Sequence, residues 1–169
     1  MERTSLAGRP CPIARSVDLL GDAWSLLILR DVFLGARRFG DLQDGLGIAP
    51  NSLTRRLEAL TRAGLLVARP YSQRPLRHEY ALTAKGEDVL PVLLALAAWG
   101  NKWLAPDGEP LLLVDPRTGK PLAPVVIDQK TRRPLRAGHV AVIAGPGAPR
   151  SVHRALRTPR VFASAEVAS

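Results

Sequence analysis

The residues best suited to chemistry in this 169-residue chain lie within residues 50–63. At helical spacing, Asn51, Thr54, Arg55, Glu58 and Arg62 fall on one side, with Ser52 and Arg56 on a flank and Leu53, Leu57 and Leu60 opposite. Asn can pair bidentately with an adenine edge, Arg with guanine, and Ser or Thr with a base or a phosphate. The chemistry on offer is recognition by hydrogen bonding, with an apolar back that holds the helix at a fixed angle. Taken alone, the same division of faces also fits an ordinary amphipathic surface helix.

The rest of the chain holds no catalytic constellation. His78, His139 and His153 are far apart, and a single cysteine, Cys11, excludes an intrachain disulfide and a thiolate zinc site. The sequence has no glycine-rich phosphate loop, no Cys/His pair and no Ser-His-carboxylate arrangement at a supporting spacing. The expectation is a protein that is not an enzyme and takes no metal and no cofactor. Lys and Arg number 24 against 15 Asp and Glu, a formal net charge of +9, and 20 of the 24 are arginine. The planar guanidinium fork favours phosphate and guanine contacts, so nucleic acid is the first candidate partner. A GC-rich genome would produce the same arginine bias. Charge alone does not locate the site, because residues 1–104 hold 14 basic and 10 acidic side chains and residues 105–169 hold 10 and 5. No apolar run approaches the roughly 20 residues that span a bilayer, and the N-terminus lacks a signal-peptide core, so the reading is cytoplasmic with no membrane partner.

The elements that must position the polar face can be read from periodicity and breakers. Pro12 opens a helix to Leu20, with Ile13, Val17 and Leu20 on one stripe, and Gly21 stops it. Asp22 is an N-cap for a second helix through Trp24, Leu27, Ile28 and Val32, which Gly35 ends. A short third helix covers residues 39–46, and a fourth runs from Pro50 to just before Gly64. Residues 65–69 and 78–82 read as two strands joined by a loop over 71–76. Thr83 then caps one long helix to Leu104, which Pro91 kinks near its second turn. That helix is apolar on two sides: Val89, Leu93, Leu96, Gly100 and Trp103 on one, Leu90, Leu94, Ala97 and Leu104 on the other. A second apolar face calls for a second partner, so a homodimer is expected, with Ile13, Val17, Leu93, Leu96, Trp99 and Trp103 at its interface.

Three helices followed by a two-stranded hairpin is the order of a winged helix-turn-helix. Arg74 in the hairpin loop and Arg77 and Arg69 on its strands lie beside a helix already rich in arginine. Wing arginines can enter the minor groove or neutralise phosphates. Arg37 and Arg38, just ahead of the third helix, are candidates for the DNA backbone. The candidate DNA-binding set is therefore Arg37, Arg38, Asn51, Ser52, Thr54, Arg55, Arg56, Arg74 and Arg77.

Several short motifs now fall in one order: Cys11-Pro12-Ile13, residues 20–30 (LGDAWSLLILR), residues 38–42 (RFGDL), Leu53-Thr54-Arg55-Arg56-Leu57, Gly64-Leu65, residues 79–83 (EYALT) and Leu96-Ala97-Ala98-Trp99-Gly100. Together they resemble the HxlR family of bacterial transcriptional regulators over about residues 11–104. The resemblance implies a dimeric winged helix-turn-helix DNA binder, dimerised by its N- and C-terminal helices, with residues 50–63 in the major groove. The implied partner is double-stranded DNA bearing a roughly palindromic operator. A repressor is favoured over an activator, and modulation by a small-molecule effector or by oxidation is the open regulatory question. The rival reading is a dimeric adaptor on the same winged-helix fold that binds no DNA; it would keep Leu53, Leu57 and Leu60 yet have no use for outward Arg55, Arg56 and Arg74.

The fold class expected is mainly α with a small β wing, in three parts: residues 1–104 the winged helix-turn-helix with its dimerisation helices, 105–147 a small β-rich appendage, and 148–169 a flexible tail. The appendage repeats itself. Residues 114–122 (VDPRTGKPL) recur 13 positions on as residues 127–135 (IDQKTRRPL), each with the pattern strand, turn, Pro, strand. Some longer members of the family look as if they append a module with zinc-ribbon-like cysteine pairs. Here Asp and Thr stand at the turns, so no zinc carries over. An RNA-binding reading of the appendage is disfavoured, because residues 105–145 contain no aromatic side chain to stack on bases.

In some HxlR members the cysteine that matches Cys11 senses oxidants or electrophiles. A thiol beside Pro12 at a helix N-terminus has its thiolate favoured by the helix dipole; the alternative is a thiol that only packs. If Cys11 is a sensor, operator binding by a Cys11→Ser variant is expected to become insensitive to peroxide or quinone in a titration. A parent protein already insensitive removes the role.

Overall fold

The computed structural model describes residues 5–163 and divides the chain into two compact units, with the boundary between Leu94 and Ala95. That boundary falls inside a helix, upstream of the expected one at 104/105. The first unit begins with α1 (Pro12–Leu20), α2 (Ala23–Phe33), α3 (Phe39–Leu46) and α4 (Pro50–Arg62). Each starts and stops for a local reason. Pro12 and Pro50 occupy first-turn positions that need no N–H. Asp22 accepts the backbone N–H of Ser25 at 3.0 Å and so caps α2. Gly47 takes the left-handed conformation, φ +61°, that lets the chain turn sharply from α3 into α4.

The core of this unit lies between α2, α3, α4 and the first strand. Ile28, Leu29 and Val32 of α2, Leu42 of α3 and Leu53, Leu57 and Leu60 of α4 are buried together with Ile48, Leu65, Leu66 and Val89. Burying a leucine of this kind contributes roughly 1.5–3 kcal/mol. Strand β1 (Leu66–Gln73) pairs antiparallel with β2 (Leu76–Leu82), from Leu66 opposite Leu82 to Gln73 opposite Leu76. The hairpin is thus longer than the sequence suggested. The expected loop over 71–76 is mostly strand, with the register shifting once between Pro70 and Ser72, and only Arg74 and Pro75 are left at the tip. A third segment joins the edge: the N–H of Tyr80 donates to the carbonyl of Arg37 at 2.7 Å, and Arg38 bridges Glu79.

The expected single helix over 84–104 is two, α5 (Ala84–Glu87) and α6 (Leu90–Leu104). Thr83 caps the first, accepting the N–H of Gly86 at 3.1 Å. Pro91 has no N–H, and its ring excludes the carbonyl four residues back, so the helix breaks just before it. Leu93, expected at a dimer interface, follows Val89 by one turn and packs against the core of its own chain.

The second unit carries the sequence repeat. Val114 bridges Pro121 and Ile127 bridges Pro134, each closing a miniature hairpin. The N–H of Arg117 donates to Asp115 Oδ1 at 2.8 Å, and that of Thr131 to Asp128 Oδ1 at 2.6 Å. These backbone donors, more than any other influence, hold both carboxyl groups below the usual carboxylate range. The segment from 148, expected to be a flexible tail, contains α7 (Arg150–Ala155) and β4 (Arg160–Val161), and β4 pairs with β3 (Ala141–Val142). A six-residue helix and two-residue strands are too short to print a period in the sequence, which is why they were missed. The last residues of that expected tail, 164–169, lie outside the described residues.

Gly86 of α5 is buried against Leu65, the residue before β1, and a Cβ there would stand 2.2 Å from the carbonyl oxygen of Leu65. Gly86→Ala is expected to destabilise the first unit by about 3 kcal/mol, as overpacking does. Urea unfolding checks this, and a variant as stable as the parent refutes the packing.

Candidate nucleic-acid interface

The face expected to read bases is built by the burial of α4. Leu53, Leu57 and Leu60 are at most 1 % exposed, which forces Asn51, Thr54, Arg55, Glu58 and Arg62 outward into solvent. Ser52 and Arg56 are half-buried on the flank. Arg55 has no carboxylate partner among the described residues, so its guanidinium is available to a ligand. Thr54 donates its hydroxyl to the carbonyl of Pro50 at 3.0 Å, which fixes the side chain and leaves its oxygen to accept and its methyl group to pack.

Arg56 behaves differently from its neighbour. Its Nε lies 3.1 Å from Asp22 Oδ1, the same carboxylate that caps α2 and also takes the hydroxyl of Ser25. One aspartate therefore joins the start of α2 to the middle of α4. The sequence reading did not foresee this pairing of Arg56 with Asp22; the partners are far apart in the chain and give no local signal.

The hairpin carries Arg74 at its tip and Arg69 and Arg77 along its length, all exposed. Arg37 is exposed as well, but Arg38 is held. Arg38 Nε stands 2.9 Å from Glu79 Oε1, and its guanidinium lies 4.5 Å from the centre of the Tyr71 ring. The hydrogen bond and charge of Glu79 raise the Arg38 pKa further. The backbone N–H of Arg38 meanwhile donates to Asp41 Oδ2 at 3.1 Å and helps cap α3. Arg38 thus links the start of α3 to the wing through Glu79, which the sequence placed only within the EYALT motif, and through Tyr71, which it placed only in a loop. Beside it, Phe39, Tyr71, Leu76, His78 and Tyr80 border a cleft of about 370 Å³. Burial first, and then the charge of Glu58, push the Tyr80 phenol above its ordinary range.

Lys85 Nζ donates to the carbonyl of Ala63 at 2.8 Å and Thr83 to that of Gly64 at 2.6 Å, so the end of α4 is tied to the start of α5. Cys11 is exposed at the N-cap of α1, and Ile13 and Val17 are 66 % and 43 % exposed on the same helix. Leu96, Trp99 and Trp103 of α6 are 47 %, 56 % and 63 % exposed. Among the described residues no group of acidic, His and Cys side chains could hold a metal ion, and no helix is long and apolar enough to cross a membrane.

Known proteins share this arrangement. The chain is 39 % identical over 136 residues to the uncharacterized HTH-type transcriptional regulator Rv3095 of Mycobacterium tuberculosis, covering 80 % of this chain and 86 % of that one. The structure of PA1607, assigned as a transcription factor, superposes with a TM-score of 0.76 at 38 % identity over 84 % of this chain and all of that one. PA1374 of Pseudomonas aeruginosa, likewise assigned as a transcription factor, gives 0.63 at 46 % identity over 86 % of this chain and all of that one. The HxlR-like helix-turn-helix family model matches residues 19–108, which hold α2, the helix-turn-helix, the wing and the helices after it. This chain belongs to the HxlR-like helix-turn-helix family and is a DNA-binding transcriptional regulator of winged-helix fold, not an enzyme.

Proposed function

We propose that the protein is a homodimeric repressor that reads a roughly palindromic duplex operator. The observation that carries this reading is α4 itself: three leucines bury its back, and Asn51, Thr54 and Arg55 stand exposed on its front. Asn51 and Arg55 contact base edges, Thr54 contacts a base or phosphate, and Ser52 supports them from the flank. Arg74 and Arg77 on the wing, with Arg37, contact phosphates. Arg56 and Arg38 act by positioning, since their guanidinium groups are already engaged with Asp22 and Glu79. The exposed Ile13 on α1 and, separately, the exposed Leu96, Trp99 and Trp103 on α6 support a dimer, because large apolar side chains left in water call for a partner. Two α4 helices related by a dimer axis then meet half-sites about one helical turn apart. Repression follows if the occupied operator overlaps a promoter. Effector or oxidant control through Cys11 belongs to the same reading, supported by the exposure of that thiol at the start of a helix.

Light scattering at micromolar concentration is expected to give twice the 18.3 kDa chain mass, and Trp99→Glu to lower it toward the monomer. A parent monomer with full DNA affinity ends the dimer reading.

An operator selected from a random duplex library supplies the second test. Arg55→Ala is expected to relax preference at one base position and to weaken binding by about 1–3 kcal/mol. Arg74→Ala is expected to weaken all sequences evenly and to flatten the salt dependence, because a phosphate contact releases counterions without reading bases. If neither substitution changes affinity or selectivity, this face does not bind DNA and the adaptor reading replaces it.

A further inference from the structure

The two sequence repeats of the second unit build the same turn but not the same surface. In the first, the left-handed position is Gly119, φ +66°; in the second it is Arg132, φ +58°, the one described non-glycine residue with positive φ. A side chain at that position strains the backbone, and the sister repeat shows that glycine serves the turn without strain. Arg132 therefore stands in this turn at a conformational cost that Gly119 does not incur. The same turn presents Lys130, Arg133 and Arg136, which with His139 and Asp128 border an open cleft of about 810 Å³. Lys130, Arg132, Arg133 and Arg136 are all exposed, and none is paired with a carboxylate among the described residues. Asp128, which borders the same cleft, accepts the backbone N–H of Thr131 and forms no ion pair among the described residues. In the first repeat, by contrast, Arg117 lies 3.5 Å from its own Asp115.

We propose that this second turn is a phosphate-contacting surface for duplex DNA, separate from the recognition helix and wing. The inference rests on the DNA-binding reading above and adds a second point of contact to it. Four unpaired cations within seven residues, one kept at conformational cost, match the charge density of a nucleic-acid backbone and lack the aromatic side chains that single-stranded bases stack on. The contact is with phosphate, so it adds affinity without adding sequence preference.

The test uses the full-length protein, its triple variant Arg132→Gly, Arg133→Ala, Arg136→Ala, and the single variant Arg132→Gly. Each is titrated against a selected operator duplex and a random duplex of equal length at several salt concentrations. The triple variant is expected to lose affinity for both duplexes about equally, to keep the parent's preference between them, and to weaken about tenfold less than the parent between 50 and 200 mM salt, as loss of about two phosphate contacts predicts. The single variant restores the sister turn, so its Tm is expected to be equal or higher while its affinity falls a few-fold. Parent-like affinity and salt slope in both variants overturn the proposal, as does a loss confined to sequence preference. A parent that shows no preference for any duplex refutes instead the operator reading above, and the random duplex still reports on the phosphate contact.

Discussion

The burial of Leu53, Leu57 and Leu60 along one edge of α4 is the constraint on which the rest of the first unit depends. Those three side chains reach into the space bounded by α2, α3 and β1, and the helix can meet that core in only one rotation. Rotation by a fraction of a turn would bury Arg55 or Asn51 and expose leucine, at several kcal/mol. The polar face is therefore aimed by the apolar one. Asp22 adds an electrostatic tie to this force, because its carboxylate caps α2 by a hydrogen bond and also pairs with Arg56 of α4. Hydrophobic burial sets the angle of α4, and one ion pair ties it to the start of α2.

The wing is fastened by a second set of polar contacts. Arg37 lends its carbonyl to Tyr80, and Arg38 spends its side chain on Glu79 and Tyr71. A two-stranded hairpin is marginal in water by itself. Attached at one end to α3 and at the other, through Gly64 and Thr83, to the end of α4, it becomes a fixed arm with arginines along its outer edge. Two adjacent exposed arginines thus divide their labour: Arg37 has no carboxylate partner among the described residues, and Arg38 pairs with Glu79 as part of the frame.

The second unit is stabilised differently. Among its described residues none is fully buried, and Leu111, Val125 and Ile143 are 72 %, 68 % and 65 % exposed. Its order comes from local hydrogen bonds. Asp115 and Asp128 gather the amides of their own turns, which a bound metal would organise in a cysteine knuckle, and β3 and β4 close the segment between them. An oxygen acceptor two or three residues from its donor needs no long-range packing to form. The repeat is for that reason legible in sequence as a repeat of turns.

The sequence by itself determined the elements of the first unit and the division of α4 into two faces. Pro12, Asp22, Pro50 and the helix-ending glycines act through steric and hydrogen-bonding preferences within a few residues, and leucine spacing records which side of a helix is buried. The same short range explains the strand positions and the turn repeat. Only the tertiary structure decided which arginines are available. Arg55 and Arg56 are adjacent and alike in type, yet one is open to solvent and the other is bound to Asp22, 34 positions earlier in the chain. Arg38 and Glu79 are likewise separated by 41 residues. It also decided that Leu93 packs inward and that β4 pairs with β3 beyond residue 148. The pairings of Arg56, Arg38 and Leu93 depend on contacts between segments remote in sequence, which leave no periodic trace in the chain.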